Sequence, residues 1–84
     1  MDLKQQFEAS IEKAKGLPNQ SNETLLELYS LYKQATVGDV EGERPSGFDF
    51  RGAAKFDAWA KRRGMSADDA RQGYIDLVDR LAGG

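Results

Sequence analysis

Apolar side chains recur along the chain at helical spacing, interrupted by short polar breaks. Leu3, Phe7, Ser10, Ile11 and Ala14 form one stripe, with Asp2 placed to cap it and Gly16-Leu17-Pro18 to stop it. A second run is announced by Ser21-Asn22-Glu23, continues to about Val37 and ends at Gly38-Asp39. The third extends from near Phe50 to Gly64, with Lys61, Arg62 and Arg63 set against the negative end of its dipole. The fourth opens at Ser66, carries Asp68 and Asp69 in its first turn, and sets Ala67, Ala70, Tyr74, Ile75, Leu77, Val78 and Leu81 along one stripe. No segment alternates with period two over a useful length, so the pattern predicts an all-α protein.

The connections restrict how these helices pack. About five residues join the first two helices and about two join the last two, so each pair is expected to be antiparallel. Residues 38–49 show no helical pattern and can span roughly 40 Å at ~3.3 Å per residue. The second helix is only about 24 Å long at 1.5 Å per residue. The middle connection can therefore return along the bundle and leave helices two and three parallel.

Helix two carries more apolar surface than a surface helix needs. Leu25, Tyr29, Tyr32 and Thr36 share a sector, Leu28, Leu31 and Ala35 the adjoining one, and Leu26, Lys33 and Val37 the other flank. Roughly two-thirds of the circumference is apolar or aromatic, against the third to a half that a helix in a small bundle buries. Two explanations remain open. The helix is central and touches three neighbours, or part of its excess lines a groove for a ligand with apolar, aromatic and anionic parts. Lys33 at the margin suits the second, although lysine stems also lie harmlessly along apolar surface.

Composition removes several chemistries. The 84 residues contain no cysteine and no histidine, so disulfides, thiolate metal sites and the commonest general base are absent. Twelve basic and fourteen acidic side chains give a net charge of −2, which offers no global attraction to nucleic acid. Apolar runs are far too short to span a bilayer and the N-terminus does not resemble a secretion signal, so a soluble, cytoplasmic protein is expected. Asp39, Glu41, Glu43 and Asp49 lack calcium-loop spacing and read as solvated loop acids or caps, so no metal site is expected. Asp57 reads as a surface or ion-paired group, Trp59 as core, and Lys61-Arg62-Arg63 as dipole compensation ahead of a membrane or enzyme docking patch. Arg44-Pro45 and Phe48 are expected to fix the long connection by packing on the bundle.

The middle of the chain carries a more specific signal. YKQATVGD (Tyr32–Asp39), ERP (Glu43–Pro45) and FDFRGAAKFDAW (Phe48–Trp59) resemble the acyl-CoA-binding protein family. The likeness extends back to FEAS at Phe7 and forward through Met65 to Leu81. It implies a single acyl-CoA-binding domain over residues 1–84, folded as a four-helix up-down-down-up bundle with a long connection between helices two and three. It also implies a monomeric carrier and pool former for long-chain acyl-CoA, with no cofactor, no catalytic residues, and transient contacts with acyl-CoA-using enzymes or membranes.

Carried over by motif, the resemblance places Tyr29 and Tyr32 beside the nucleotide. Tyr29, Lys33 and Lys55 would reach the ribose 3′-phosphate, Tyr74 would pack at the adenine, and Lys15 would approach the ligand from the end of helix one. Leu25 and Leu26, with Phe7, Ser10, Ile11 and Ala14 across the groove, would supply apolar walls. Arg51 stands at a ligand-side position often lysine, which keeps the charge and changes its geometry. Phe56 replaces a usual tryptophan, Ala53 a frequent lysine, and Ser10-Ile11 a common pair of alanines. The loop before helix two is also about a residue short. The rival reading is a helical protein-interaction module that keeps the scaffold without the ligand. A third is that coenzyme A is held as an enzyme's substrate within an assembly.

Overall fold

Every helix starts at a residue whose side chain can bond its free amides. The computed structural model describes residues 1–83 and contains α1 (Leu3–Lys15), α2 (Asn22–Thr36), α3 (Phe50–Ala60) and α4 (Ala67–Leu81), with no strand among the described residues. Asp2 accepts the Gln5 amide at 2.7 Å while the Gln5 side chain accepts the Asp2 amide, a reciprocal cap. Ser21, Asp49 and Ser66 accept the amides of Thr24, Gly52 and Asp69 at 3.1, 2.9 and 3.0 Å. Each such cap stabilises its helix by about 1 kcal/mol.

The third helix is shorter than its pattern suggested. It ends at Ala60, and residues 61–64 form a turn that closes at Gly64, whose φ of +90° suits a residue without a Cβ. Lys61, Arg62 and Arg63 thus lie beyond the last helical residue. Arg62 donates to the Ser30 hydroxyl at 3.1 Å and links this turn to α2.

Side-chain pairs fix the directions. Lys55 lies over Tyr29 and Lys33 over Trp59, so α2 and α3 ascend together and are parallel. Gln34 bonds the Met65 carbonyl just before α4, whereas Leu31 lies against Gly73 farther along it, so α2 and α4 are antiparallel. Phe7 meets Tyr74 and Lys13 bonds Asp79 at 2.9 Å, so α1 and α4 are parallel. The result is an up-down-down-up four-helix bundle. At residue 73 a Cβ would approach a Leu31 methyl carbon to 3.1 Å. Glycine there costs some helix propensity and allows α4 to lie close on α2.

The principal-axis extents are 40 × 27 × 15 Å. Phe7, Leu31, Ala35, Ala70, Tyr74, Ile75, Leu77 and Val78 make up the main cluster, drawn from α1, α2 and α4. At backbone level α2 packs on α3 and α4, and it reaches α1 through Phe7 and Tyr32. Those contacts do not use up its apolar surface: Leu25, Tyr32 and Val37 remain exposed. Helix two is therefore both central and left with a surplus.

The long connection is tied down chiefly by polar anchors. Asp39 Oδ1 accepts from Gln34 Nε2 at 2.7 Å and from the Gly64 amide at 2.8 Å, which draws the end of α2 to the α3–α4 turn. These donors hold the Asp39 carboxyl below its ordinary range, the Gly64 amide contributing most. Arg44 meets Asp57 through two bonds of 2.8 and 3.0 Å, so Asp57 is ion-paired. Val40 is buried as a separate apolar anchor. Phe48, expected to pack on the bundle, does not: it is 97% exposed, because the turn at residues 47 and 48 projects its ring into water.

Candidate ligand-binding face

The open side of α2 between α1 and α3 gathers most of the chemistry. Tyr29 and Lys33 stand one helical turn apart and both are half-buried against α3. Lys33 Nζ is 5.1 Å from the centre of the Trp59 ring, and Lys55 Nζ is 5.3 Å from the centre of Tyr29. Both distances suit a cation held over an aromatic face. Trp59, read from sequence as core, is half-buried and has two roles. Its indole N–H donates to the Gly38 carbonyl at 2.8 Å, and its ring carries Lys33. Neither lysine has an ion-pair partner among the described residues, so two positive charges wait on one face with only rings beneath them.

Beside this pair runs an aromatic ridge. Tyr32 stacks on Phe7 with centroids 6.2 Å apart, and Phe7 meets Tyr74 edge-on at 5.2 Å. Tyr32 is 39% exposed and presents its ring to solvent; Phe7 and Tyr74 are buried behind it. Tyr74 is thereby mainly a core residue that backs Tyr32, with little ring face of its own. A hollow of about 360 Å³ adjoins Tyr32 and is bordered by Phe7, Ile11, Thr36 and Arg71. Arg71 was not singled out in the sequence, where neither its type nor its spacing marks it, and Thr36 appeared there only as sharing the sector of Tyr29 and Tyr32.

Other carried-over positions fall in different places. Leu25, half exposed, lies on the open side of α2. Leu26 turns the other way, into a separate cleft of about 550 Å³ with Glu27, Ala54, Ala58 and Arg62. Ser10 is buried beside Ile75 and Asp79 of α4 rather than toward α2, and Ala14 packs against the main core. Lys15 is exposed and paired with Glu12 at 3.1 Å, one turn earlier on α1. Arg51 is exposed in the first turn of α3. Ala53, at the position of a frequent lysine, is buried. The structure therefore unites Tyr29, Tyr32, Lys33, Lys55, Phe7 and Ile11, and it separates Leu26, Ser10 and Ala14 from them.

Burial makes Tyr74 resist ionisation. Desolvation raises its phenol above the ordinary value of 10.0, and Tyr32 nearby adds to the shift. The unfolded chain ionises first, so this group's contribution is whole below pH 10 and falls away as pH climbs through the higher folded value. Denaturant melts are expected to show wild-type stability declining above that pH more steeply than the stability of Tyr74→Phe. Parallel declines would remove Tyr74 from the alkaline transition.

Residues 4–78 match the sequence profile of the family described as Acyl CoA binding protein. The chain belongs to the acyl-CoA-binding protein family. It is 51% identical to the acyl-CoA-binding protein of Ricinus communis, over 99% of this chain and 93% of that one. The crystal structure of Oryza sativa acyl-CoA-binding protein 2 superposes with a TM-score of 0.95 at 46% identity, covering 98% of this chain and 92% of the other. The acyl-CoA-binding protein of Moniliophthora perniciosa gives 0.89 at 35% identity, covering 99% and 82%. Family membership and fold thus agree with the motifs of residues 32–59.

Proposed function

We propose that this chain is a carrier of long-chain acyl-CoA esters and holds them without reacting on them. The observation that carries the reading is the pair of unneutralised ammonium groups, Lys33 over Trp59 and Lys55 over Tyr29, on one face beside an exposed tyrosine ring. A ribose 3′-phosphate bears close to two negative charges and would draw both lysines, with the Tyr29 hydroxyl as a further donor; charge-assisted bonds are the strong ones. Tyr32, backed by Phe7 and Tyr74, offers an aromatic surface on which an adenine can stack. Leu25 and Ile11 would supply apolar wall for the acyl chain with Phe7 buried behind Tyr32, and the exposed cations Lys15 and Arg51 would act as secondary charges. The family's proteins bear the name of acyl-CoA binders, which supports the same ligand class. On this reading the protein acts as a cytoplasmic monomer, forms a protected acyl-CoA pool, and makes only transient contacts with enzymes or membranes.

Titration calorimetry with palmitoyl-CoA, free coenzyme A and palmitate tests the reading. Tight binding is expected for the ester alone. No binding by any of the three would favour the interaction-module alternative, in which the scaffold meets a partner protein instead.

The tyrosine hydroxyl gives a finer check. Among the described residues the Tyr29 hydroxyl makes no hydrogen bond, so Tyr29→Phe is expected to leave thermal stability nearly unchanged. Palmitoyl-CoA affinity should fall by about 1.5–3 kcal/mol, the usual worth of a hydrogen bond to a charged group. Wild-type affinity in this variant would take Tyr29 out of the phosphate site.

A further inference from the structure

Arg71 is drawn inward beside the hollow that adjoins Tyr32. Its side chain is 26% exposed, whereas that of Asp68, one turn earlier on α4, is 75% exposed. Asp68 Oδ1 accepts from Arg71 Nη1 at 2.7 Å, and the remaining guanidinium donors have no partner among the described residues. An ordinary surface pair leaves both side chains in water. Here Asp68 holds the planar fork from outside, and Arg71 borders the hollow together with Thr36. Thr36 is committed in the opposite sense. Its hydroxyl donates to the Tyr32 carbonyl at 2.8 Å, so the oxygen has only lone pairs left to offer. The hollow is thus bordered by one group that can only donate and one that can only accept.

We propose that Arg71 and Thr36 select the base of the ligand by reading the edge of an adenine that lies against the Tyr32 ring. The inference rests on the carrier reading and adds to it the groups that discriminate among bases. The amino edge of adenine sets the N6 donor beside the N1 acceptor. N6 meets Thr36 Oγ1, and N1 meets the Arg71 guanidinium. Hypoxanthine reverses both, with a carbonyl oxygen at position 6 and an N–H at position 1. Acceptor then faces acceptor and donor faces donor. A site built to hydrogen-bond one pattern strongly rejects an analogue that leaves its groups unpaired. With the ribose phosphate held at Lys33 and Lys55, the base cannot turn over to exchange its partners. At about 360 Å³ the hollow lies at the lower end of the roughly 300–1,000 Å³ of small-molecule sites, room for a base rather than a whole coenzyme. Lys4 and Glu8 also border it, both exposed and of opposite charge, and together they add no net attraction for the phosphates.

Calorimetry of the full chain with palmitoyl-CoA and with its deaminated analogue, in which hypoxanthine replaces adenine, tests the assignment. Wild type is expected to bind the analogue more weakly, on the order of tenfold or more. Arg71→Ala should weaken palmitoyl-CoA on the order of tenfold and shrink the preference between the two esters. Arg71→Gln separates base reading from plain charge. Its amide can turn to offer either an N–H or an oxygen. It should therefore bind the deaminated ester more tightly than wild type does, although a positive charge beside a polyanion has been lost. Thermal melts confirm that each variant is folded, and Arg71→Gln decides alone if Arg71→Ala is not. A wild type that binds both esters equally, or an Arg71 variant that keeps the full preference, overturns the proposal. So does Arg71→Gln weakening both esters by the same factor, since Arg71 would then act only as a charge. In each of those cases palmitoyl-CoA still binds wild type and the carrier reading stands. A wild type that binds neither ester ends the carrier reading, and the base assignment with it.

Discussion

Lys33→Ala and Lys55→Ala are each expected to weaken palmitoyl-CoA binding by about 2–5 kcal/mol, the usual loss when one partner of a desolvated charge pair is removed. Folding should barely respond. Neither side chain belongs to the core cluster, neither makes an ion pair among the described residues, and each loses only its contact with a ring. Such a contact is worth about 0.5–1 kcal/mol where water reaches it, so thermal melts should shift little. The ligand supplies the complementary deletion. An acyl ester of dephospho-coenzyme A, lacking the 3′-phosphate, should bind wild type weakly and bind the lysine variants hardly less well. That convergence is the signature of a direct lysine–phosphate interaction in a double-mutant cycle. Full affinity in both variants would remove the two lysines from the site, and unfolding would make them structural.

What could be read from the sequence follows from which physical terms are local. Helix starts at Asp2, Ser21 and Ser66 were legible because capping depends on one side chain and the amides three residues on. The parallel course of α2 and α3 was legible because a dozen-residue connection can span a helix and shorter ones cannot. The end of α3 was not, because positive residues at 61–63 suit a helix C-terminus and the turn that follows it equally well. Nor could periodicity divide the α1 stripe. Phe7, Ser10, Ile11 and Ala14 fall on one broad arc, yet the structure turns Ser10 to α4 and leaves Phe7 and Ile11 bordering the hollow by Tyr32. A helical wheel gives angles about one axis and says nothing of where the neighbouring axes lie. Leu25 and Leu26 part for the same reason. Phe48 failed differently, since burying a loop ring needs a concave receiver that no local pattern encodes. The resemblance supplied residue identities for the face, but Trp59 under Lys33 became visible only as geometry.

If the carrier reading holds, affinity should climb steeply with acyl chain length, because the head group and tail would meet different parts of the protein. On the proposed reading the lysines and tyrosines of α2 and α3 would address the nucleotide and contribute equally to every ester. The tail must find its free energy on apolar surface: exposed Leu25, the flank of Tyr32, and Ile11 at the edge of the hollow. A methylene fully removed from water contributes about 0.8 kcal/mol. Leu25 and Tyr32 are exposed rather than enclosed, so one side of the chain stays wet and the gain should be roughly half that per methylene. Even at half, lengthening acetyl to octanoyl adds six methylenes and about 2–3 kcal/mol, and longer chains add more until the wall ends. Calorimetry across acetyl-, octanoyl- and palmitoyl-CoA measures the slope directly. Ile11→Asp should flatten it, since a carboxylate at the wall must be desolvated by every added methylene, while acetyl-CoA affinity stays near wild type. Equal affinity for acetyl-CoA and palmitoyl-CoA in the wild type would mean that the surplus apolar surface of α2 does not hold an acyl chain.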